Sequence, residues 1–141
     1  MDACSELADA ATRLAATATS PRTFLVEFGR VAAGVRRGPL WMLDAGKGGR
    51  NHFSGRGFRR PVDDDTDGQA RHFAGIVAVS ARVGTRLTRI LSIAVGGDKP
   101  TSADGRLTDQ ALEFTRLVRS GRLAPGDSGD WIRARLCKAR S

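Results

Sequence analysis

Two histidines and their neighbours are the groups in this chain best suited to acid–base chemistry. His72 follows Arg71 directly and stands just after a run of acids, Asp63-Asp64-Asp65-Thr66-Asp67. A histidine held near carboxylates and a guanidinium can take or give a proton near neutral pH. His52 lies in the preceding loop. Paired with His72 it would suit metal-free cleavage of a phosphodiester, one ring accepting a proton and the other donating one. Arg71 or Lys47 would then stabilise the charged transition state. A structural role competes: His72 bonded to Asp65 or Asp67 across the first turn of a helix. No serine or cysteine nucleophile stands in a recognisable motif.

The acidic run carries a second possibility. Asp63, Asp65, Asp67 and Gly68 match the first half of a calcium-binding loop, where alternating carboxylates converge on one ion. The twelfth position needs a bidentate acid and holds Ala74. The match therefore stops halfway, and aspartates that cap a helix and complement its dipole account for the run as well. The stretch 46–61 is rich in glycine and arginine and reads as a loop. Lys47, Arg50, Arg56, Arg59 and Arg60 suit phosphates, and Phe53 and Phe58 among them suit stacking on unpaired bases. The alternative is a solvated loop whose phenylalanines enter the core and whose arginines pair with the acids at 63–67. Gly46-Lys47-Gly48 lacks the spacing and the hydroxyl of a nucleotide-binding P-loop.

A chain of 141 residues with net charge +8 suits one domain with affinity for polyanions, although arginine-rich composition also arises without functional pressure. No apolar run approaches the roughly 20 residues that span a bilayer. The N-terminus lacks the pattern of an export signal, so a cytoplasmic location is expected, with signal-independent export left open. Cys4 and Cys137 lie near opposite ends. A disulfide between them would stabilise the fold by roughly 4–5 kcal/mol in the chain-entropy model. Without an export signal, two reduced thiols are expected instead. Scattered cysteines and histidines give no zinc spacing, and no cofactor is expected.

These groups must be positioned by helices. An amphipathic helix is expected over 2–19, and a second from Pro21 to about Arg36, ended by Gly38-Pro39. Leu40–Leu43 reads as a strand fragment or a lid over the core. Gln69–Val83 is apolar nearly all round and should be the buried central helix. Gly84-Thr85 then opens a helix to about Val95, its apolar face made by Leu87, Ile90, Leu91 and Ala94. Two strands over 75–95 forming a hairpin would make the fold α+β, the competing reading. Gly96–Pro100 breaks the chain. Ser102 or Asp104 caps a helix that closes at Ser120-Gly121, and Ser128 or Asp130 starts the last one. The expectation is an all-α single domain over 1–141 of about six helices, with an N-terminal pair (1–38), the basic loop (46–61) and a helical core (69–137).

Asp67–Phe73, Asp104–Phe114 and Gly129–Cys137 together resemble small helical modules of uncharacterised microbial and polymorphic-toxin-type proteins, over roughly the second half of the chain. The resemblance implies a helical fold and prominence for Arg71 and His72. A further His-Glu pair of some related sequences is absent after Val83, which by that resemblance argues against a metal hydrolase. The expected role is binding of an anionic partner, nucleic acid first, through the basic loop. Two alternatives stay open: a small effector-type, metal-independent phosphodiester hydrolase centred on His72, Arg71 and His52, and a non-catalytic interaction scaffold.

Overall fold

A helix that is apolar on almost every side must be covered on almost every side. Gln69–Val83 (α4) is such a helix in outline: the helices Pro21–Ala33 and Ala103–Arg119 pack along it, while Gly75, Ile76 and Val79 are only partly buried. The computed structural model describes residues 2–47, 49–96 and 101–139, with the side chains of 92–96 left aside. Among these residues there are seven α-helices and no strand. The other six are α1 (Ala3–Ala15), α2 (Pro21–Ala33), α3 (Trp41–Gly46), α5 (Thr85–Gly96), α6 (Ala103–Arg119) and α7 (Ser128–Leu136). The all-α reading holds, and the hairpin over 75–95 is replaced by the two helices α4 and α5. No helix is long and apolar enough to cross a membrane among the described residues.

Local chemistry sets most boundaries. The Asp2 carboxylate accepts from Ser5 N–H and caps α1, while Ser20, with Pro21 at the first position, caps α2. Ser102 caps α6 by accepting from Gly105 N–H. Two boundaries differ from expectation. α2 ends at Ala33 because Gly34 adopts the left-handed conformation (φ 68°) and its N–H returns to Arg30 O and Gly29 O, well before Gly38-Pro39. α4 starts after Gly68 with no side-chain cap, so the aspartates at 63–67 do not cap it. The break expected at Gly96–Pro100 lies mostly outside the described residues, since 97–100 are not described.

α4 is sandwiched between α2 and α6, and α1 packs on α7. Gly29 is the closest approach of α2 to α4: a Cβ there would stand 2.5 Å from Ala78 Cβ. The core is an aromatic chain in which Phe28 meets Phe24 (6.2 Å), Phe73 (6.1 Å) and Phe114 (5.6 Å), and Phe114 meets Trp131 (5.2 Å). Such pairs contribute about 0.5–1.5 kcal/mol each beyond burial. Between α4 and α6 the buried Ser80 hydroxyl donates to Thr115 Oγ1 at 2.9 Å, so both of these hydroxyls are partnered.

Leu40–Leu43 forms neither a strand nor a full lid. It opens the short helix α3, whose Trp41 ring carries the Arg82 guanidinium of α4 at 4.9 Å. α3 is tied to the chain after α2 by Asp44, whose carboxylate accepts from Arg36 N–H and from its guanidinium. The side-chain bond to Arg36 holds the Asp44 carboxyl down to about 2. α5 corrects a second expectation. Its Thr88 is buried, whereas Leu87, Ile90 and Leu91 are exposed, so the apolar face points away from the body; Ala94 is among the side chains left aside.

The largest correction concerns the ends. Cys4 and Cys137 form a disulfide across a separation of 133 residues, in place of the two reduced thiols expected. The start of α1 and the chain after α7 meet at one place, with Cys4 N–H donating to Arg56 O (3.3 Å) and Phe58 pairing with Cys137 in an antiparallel bridge. Bridging so long a loop stabilises the fold by roughly 5 kcal/mol in the chain-entropy model. Replacing both cysteines by alanine should lower stability by about 2–5 kcal/mol, read from urea midpoints without reductant, and most of that difference should vanish when a reductant opens the bridge of the parent chain. Gly29→Val should lower it by about 1–3 kcal/mol by forcing α2 from α4, with the urea midpoint shifted and the slope unchanged.

Candidate functional site

The basic loop is ordered by its own charges. Arg56 donates to Asp63 Oδ2 at 2.9 Å, to Asp65 Oδ1 at 3.1 Å and to Asp65 O at 3.0 Å. The bond to Asp63, then that to Asp65, raises the Arg56 pKa further. This cation is therefore a staple between the loop and the acidic turn. The turn is tight: Asp65 has φ 68°, and its N–H donates to Asp63 Oδ1 at 2.9 Å. Asp67 is exposed, and its carbonyl accepts from Asn51 Nδ2 at 3.0 Å. Asp63 and Asp65 thus face a guanidinium, and no three His, Cys, Asp or Glu side chains among the described residues are grouped to hold a metal ion.

The loop phenylalanines turn inward. Phe58 is 1% exposed and belongs to the core, and Phe53 is half-buried against it. Stacking of bases on Phe58 is thereby overturned, because an apolar ring beside the Cys4–Cys137 bridge is more stable under α1 than in water. Its neighbours are carried outward. Arg59 N–H donates to Leu136 O (2.8 Å) and Lys138 N–H to Gly57 O (2.8 Å), which fixes these two residues on adjoining strands of chain. Arg60 follows in a short 3-10 turn, and Arg106 of α6 reaches the same turn by donating to Pro61 O at 3.2 Å. Arg59, Arg60, Arg106 and Lys138 are all exposed. Arg106 and Lys138 were not singled out in the sequence; they stand far along the chain, and only packing brings them here.

The other loop cations are placed elsewhere. Lys47 is exposed at the end of α3, and Arg50 is exposed beside Asp44, its N–H bonded to Ala33 O at 2.6 Å. His52 Nδ1–H donates to Val31 O at 2.9 Å, and its ring borders a depression shared with Glu6, Asp9, Arg13 and Phe53. Arg71 and His72 border a different one of about 150 Å³, walled mostly by Val35, Gly75, Ile76 and Val79. The structure thus brings Arg71 and His72 together and places His52 at other depressions.

His72 is half-buried, and its Nε2 shares a hydrogen bond of 2.8 Å with Thr108 Oγ1 of α6. Thr108 itself is 2% exposed. Of the acidic run, Asp64 is the carboxylate that feels the charge of His72. Burial pushes the Asp64 carboxyl up, but this is outweighed. The Thr66 hydroxyl (2.5 Å) and N–H (2.9 Å), a hydrogen bond with Asp104 and the charge of His72 together hold it below the ordinary carboxylate range. His72, Asp64, Asp104 and Thr108 therefore form one polar cluster joining the start of α4, the acidic turn and the start of α6. The alternating pattern of acids drew attention to 63, 65 and 67, whereas the residue between them turns inward.

The folded Asp64 carboxyl lies below its unfolded value, so its stabilising contribution is full above the usual carboxylate pKa of 3.8. It is lost as pH falls through the lower folded value. Asp64→Asn should flatten the fall of the urea midpoint below about pH 4 relative to the parent chain. In comparisons with family models, with curated proteins and with solved structures, this chain matches none, so the reading of its site rests on the geometry above.

Proposed function

We infer that this domain binds a polyanionic backbone, nucleic acid first, through Arg59, Arg60, Arg106 and Lys138. The observation that carries this reading is the convergence of these four exposed cations around the 3-10 turn at Arg60–Val62. Their neighbour Arg56 is neutralised by Asp63 and Asp65, which leaves the outward cations free of that acidic pair. With Phe58 buried, the binding chemistry is charge on phosphates and not stacking on bases, so it is tolerant of sequence. The net charge of +8 adds long-range attraction of the same sign.

A hydrolase reading has one observation in its favour: His72 stands beside Asp64 and shares a depression with Arg71. It is placed second because His52 borders other depressions and the hydroxyl on His72 belongs to a buried threonine.

Retention of labelled duplex DNA and single-stranded RNA, with cleavage read in the same lanes, tests both. Duplex affinity should fall with salt at a log–log slope of roughly −3 to −4, as four neutralised phosphates require. Arg59→Gln with Arg60→Gln should cut that slope by about 2, and His72→Ala should leave it unchanged. EDTA-insensitive cleavage lost in His72→Ala would put the hydrolase reading first.

A further inference from the structure

Among the described residues, the large hydrophobic side chains that remain exposed are Leu40, Met42, Leu43, Leu87, Ile90 and Leu91, at 41% to 66% of their surface. All of them lie on α3, its N-cap, and α5. Both helices flank the C-terminal end of α4. Trp41 of α3 stacks on Arg82 in the last turn of α4, and α5 begins at Thr85. Exposed apolar residues confined to two helices that both pack on α4 mark a candidate contact surface. The burial of Thr88 shows that α5 is seated with its apolar stripe outward.

The charge around this face selects the occupant. α5 carries Arg86 and Arg89 and no acid, and Lys47 follows α3 directly. Arg82, which lies over the Trp41 ring of α3 and stands three residues before α5, is within the field of Arg22. Arg36 and Arg89 have carboxylate partners in Asp44 and Asp109. Arg22, Lys47 and Arg86 keep an excess of positive charge over the face. A second copy would bring two such excesses together and be repelled. A helical peptide would need an apolar groove. The cleft between α5 and α6, about 350 Å³, is lined instead by Arg86, Arg89, Asp109, Glu113 and Arg116, and takes in only Ile90 of the six apolar residues. Side chains that project outward beside arginines suit an anionic lipid surface, where the apolar groups enter the boundary of headgroup and acyl chain and the cations stay at the phosphates.

We propose that α3 and α5 form a peripheral docking face for an anionic membrane surface, with Met42, Leu43, Leu87, Ile90 and Leu91 inserting and Lys47 and Arg86 on the headgroups. The face uses none of the residues of the Arg59–Arg106 patch.

The test is co-sedimentation of the full chain, disulfide intact, with phosphatidylcholine vesicles and with vesicles containing about a quarter phosphatidylglycerol. The chain should pellet with the second and not the first. Ile90→Asn and Met42→Asn, both at exposed positions, should each weaken partitioning about fivefold with unchanged circular dichroism. Arg59→Gln with Arg60→Gln should weaken nucleic-acid retention and keep vesicle binding, which separates this proposal from the preceding one. Absence of binding to the anionic vesicles overturns it, as does binding indifferent to Ile90 and Met42, which would be charge alone. A dimer abolished by Ile90→Asn, or capture of the face by an acidic helical peptide without vesicle binding, assigns it to a protein partner and also overturns it.

Discussion

The structure depends on the need to cover α4. A fifteen-residue helix with apolar residues around most of its circumference cannot face water, so neighbours must approach it closely from several directions. α2 does so where Gly29 meets Ala78, a contact that the absence of a side chain makes possible. α6 does so through Phe114, which touches both Phe28 and Phe73 and passes the packing on to Trp131 of α7. The aromatic chain therefore links four helices contributed from both halves of the sequence, and each ring constrains the next.

Closure of the ends follows from the same packing. Once α1 lies along α7, Cys4 and Cys137 come within 5.6 Å between Cα atoms, and Phe58 fills the space beside them. Gly57 passes so close to the Asp2 carboxylate that a side chain there would collide with it. The loop at 46–61 is thus a structural strap as well as a charged surface. Burying Phe58 inward sends Arg59 outward, because successive residues of an extended segment point to opposite sides. The strap and the basic patch are two faces of one piece of chain.

The polar groups divide by whether the fold uses them. Arg56, Asp63 and Asp65 hold the strap to the acidic turn, Asp44 and Arg36 hold α3, and His72 with Asp64, Asp104 and Thr108 holds the start of α4 to that of α6. Arg59, Arg60, Arg106 and Lys138 hold little of the fold through their charges and remain presented to solvent. The apolar residues divide likewise. Phe73, Ala74, Val77 and Ala78 of α4 are inside, whereas Leu40, Met42 and Leu43 at α3 and Leu87, Ile90 and Leu91 of α5 are left out.

Local signals in the sequence settled most of the helices. Ser20-Pro21, Ser102 and Ser120-Gly121 act through the backbone within a few residues, so the start of α2 and both ends of α6 are legible without the fold. The helical period also made Phe24, Phe28, Phe73 and Phe114 recognisable as core. Orientation and partnership were not legible. The periodicity of α5 defines an apolar stripe but not the direction it faces, and it faces out. The acidic run shows charge, but that Asp64 feels the charge of His72 is set by the fold. The pairing of Cys4 with Cys137 and the meeting of Arg106 and Lys138 with Arg59 join residues from distant parts of the chain. Such contacts depend on how helices pack, which no local spacing encodes; tertiary structure alone decided them.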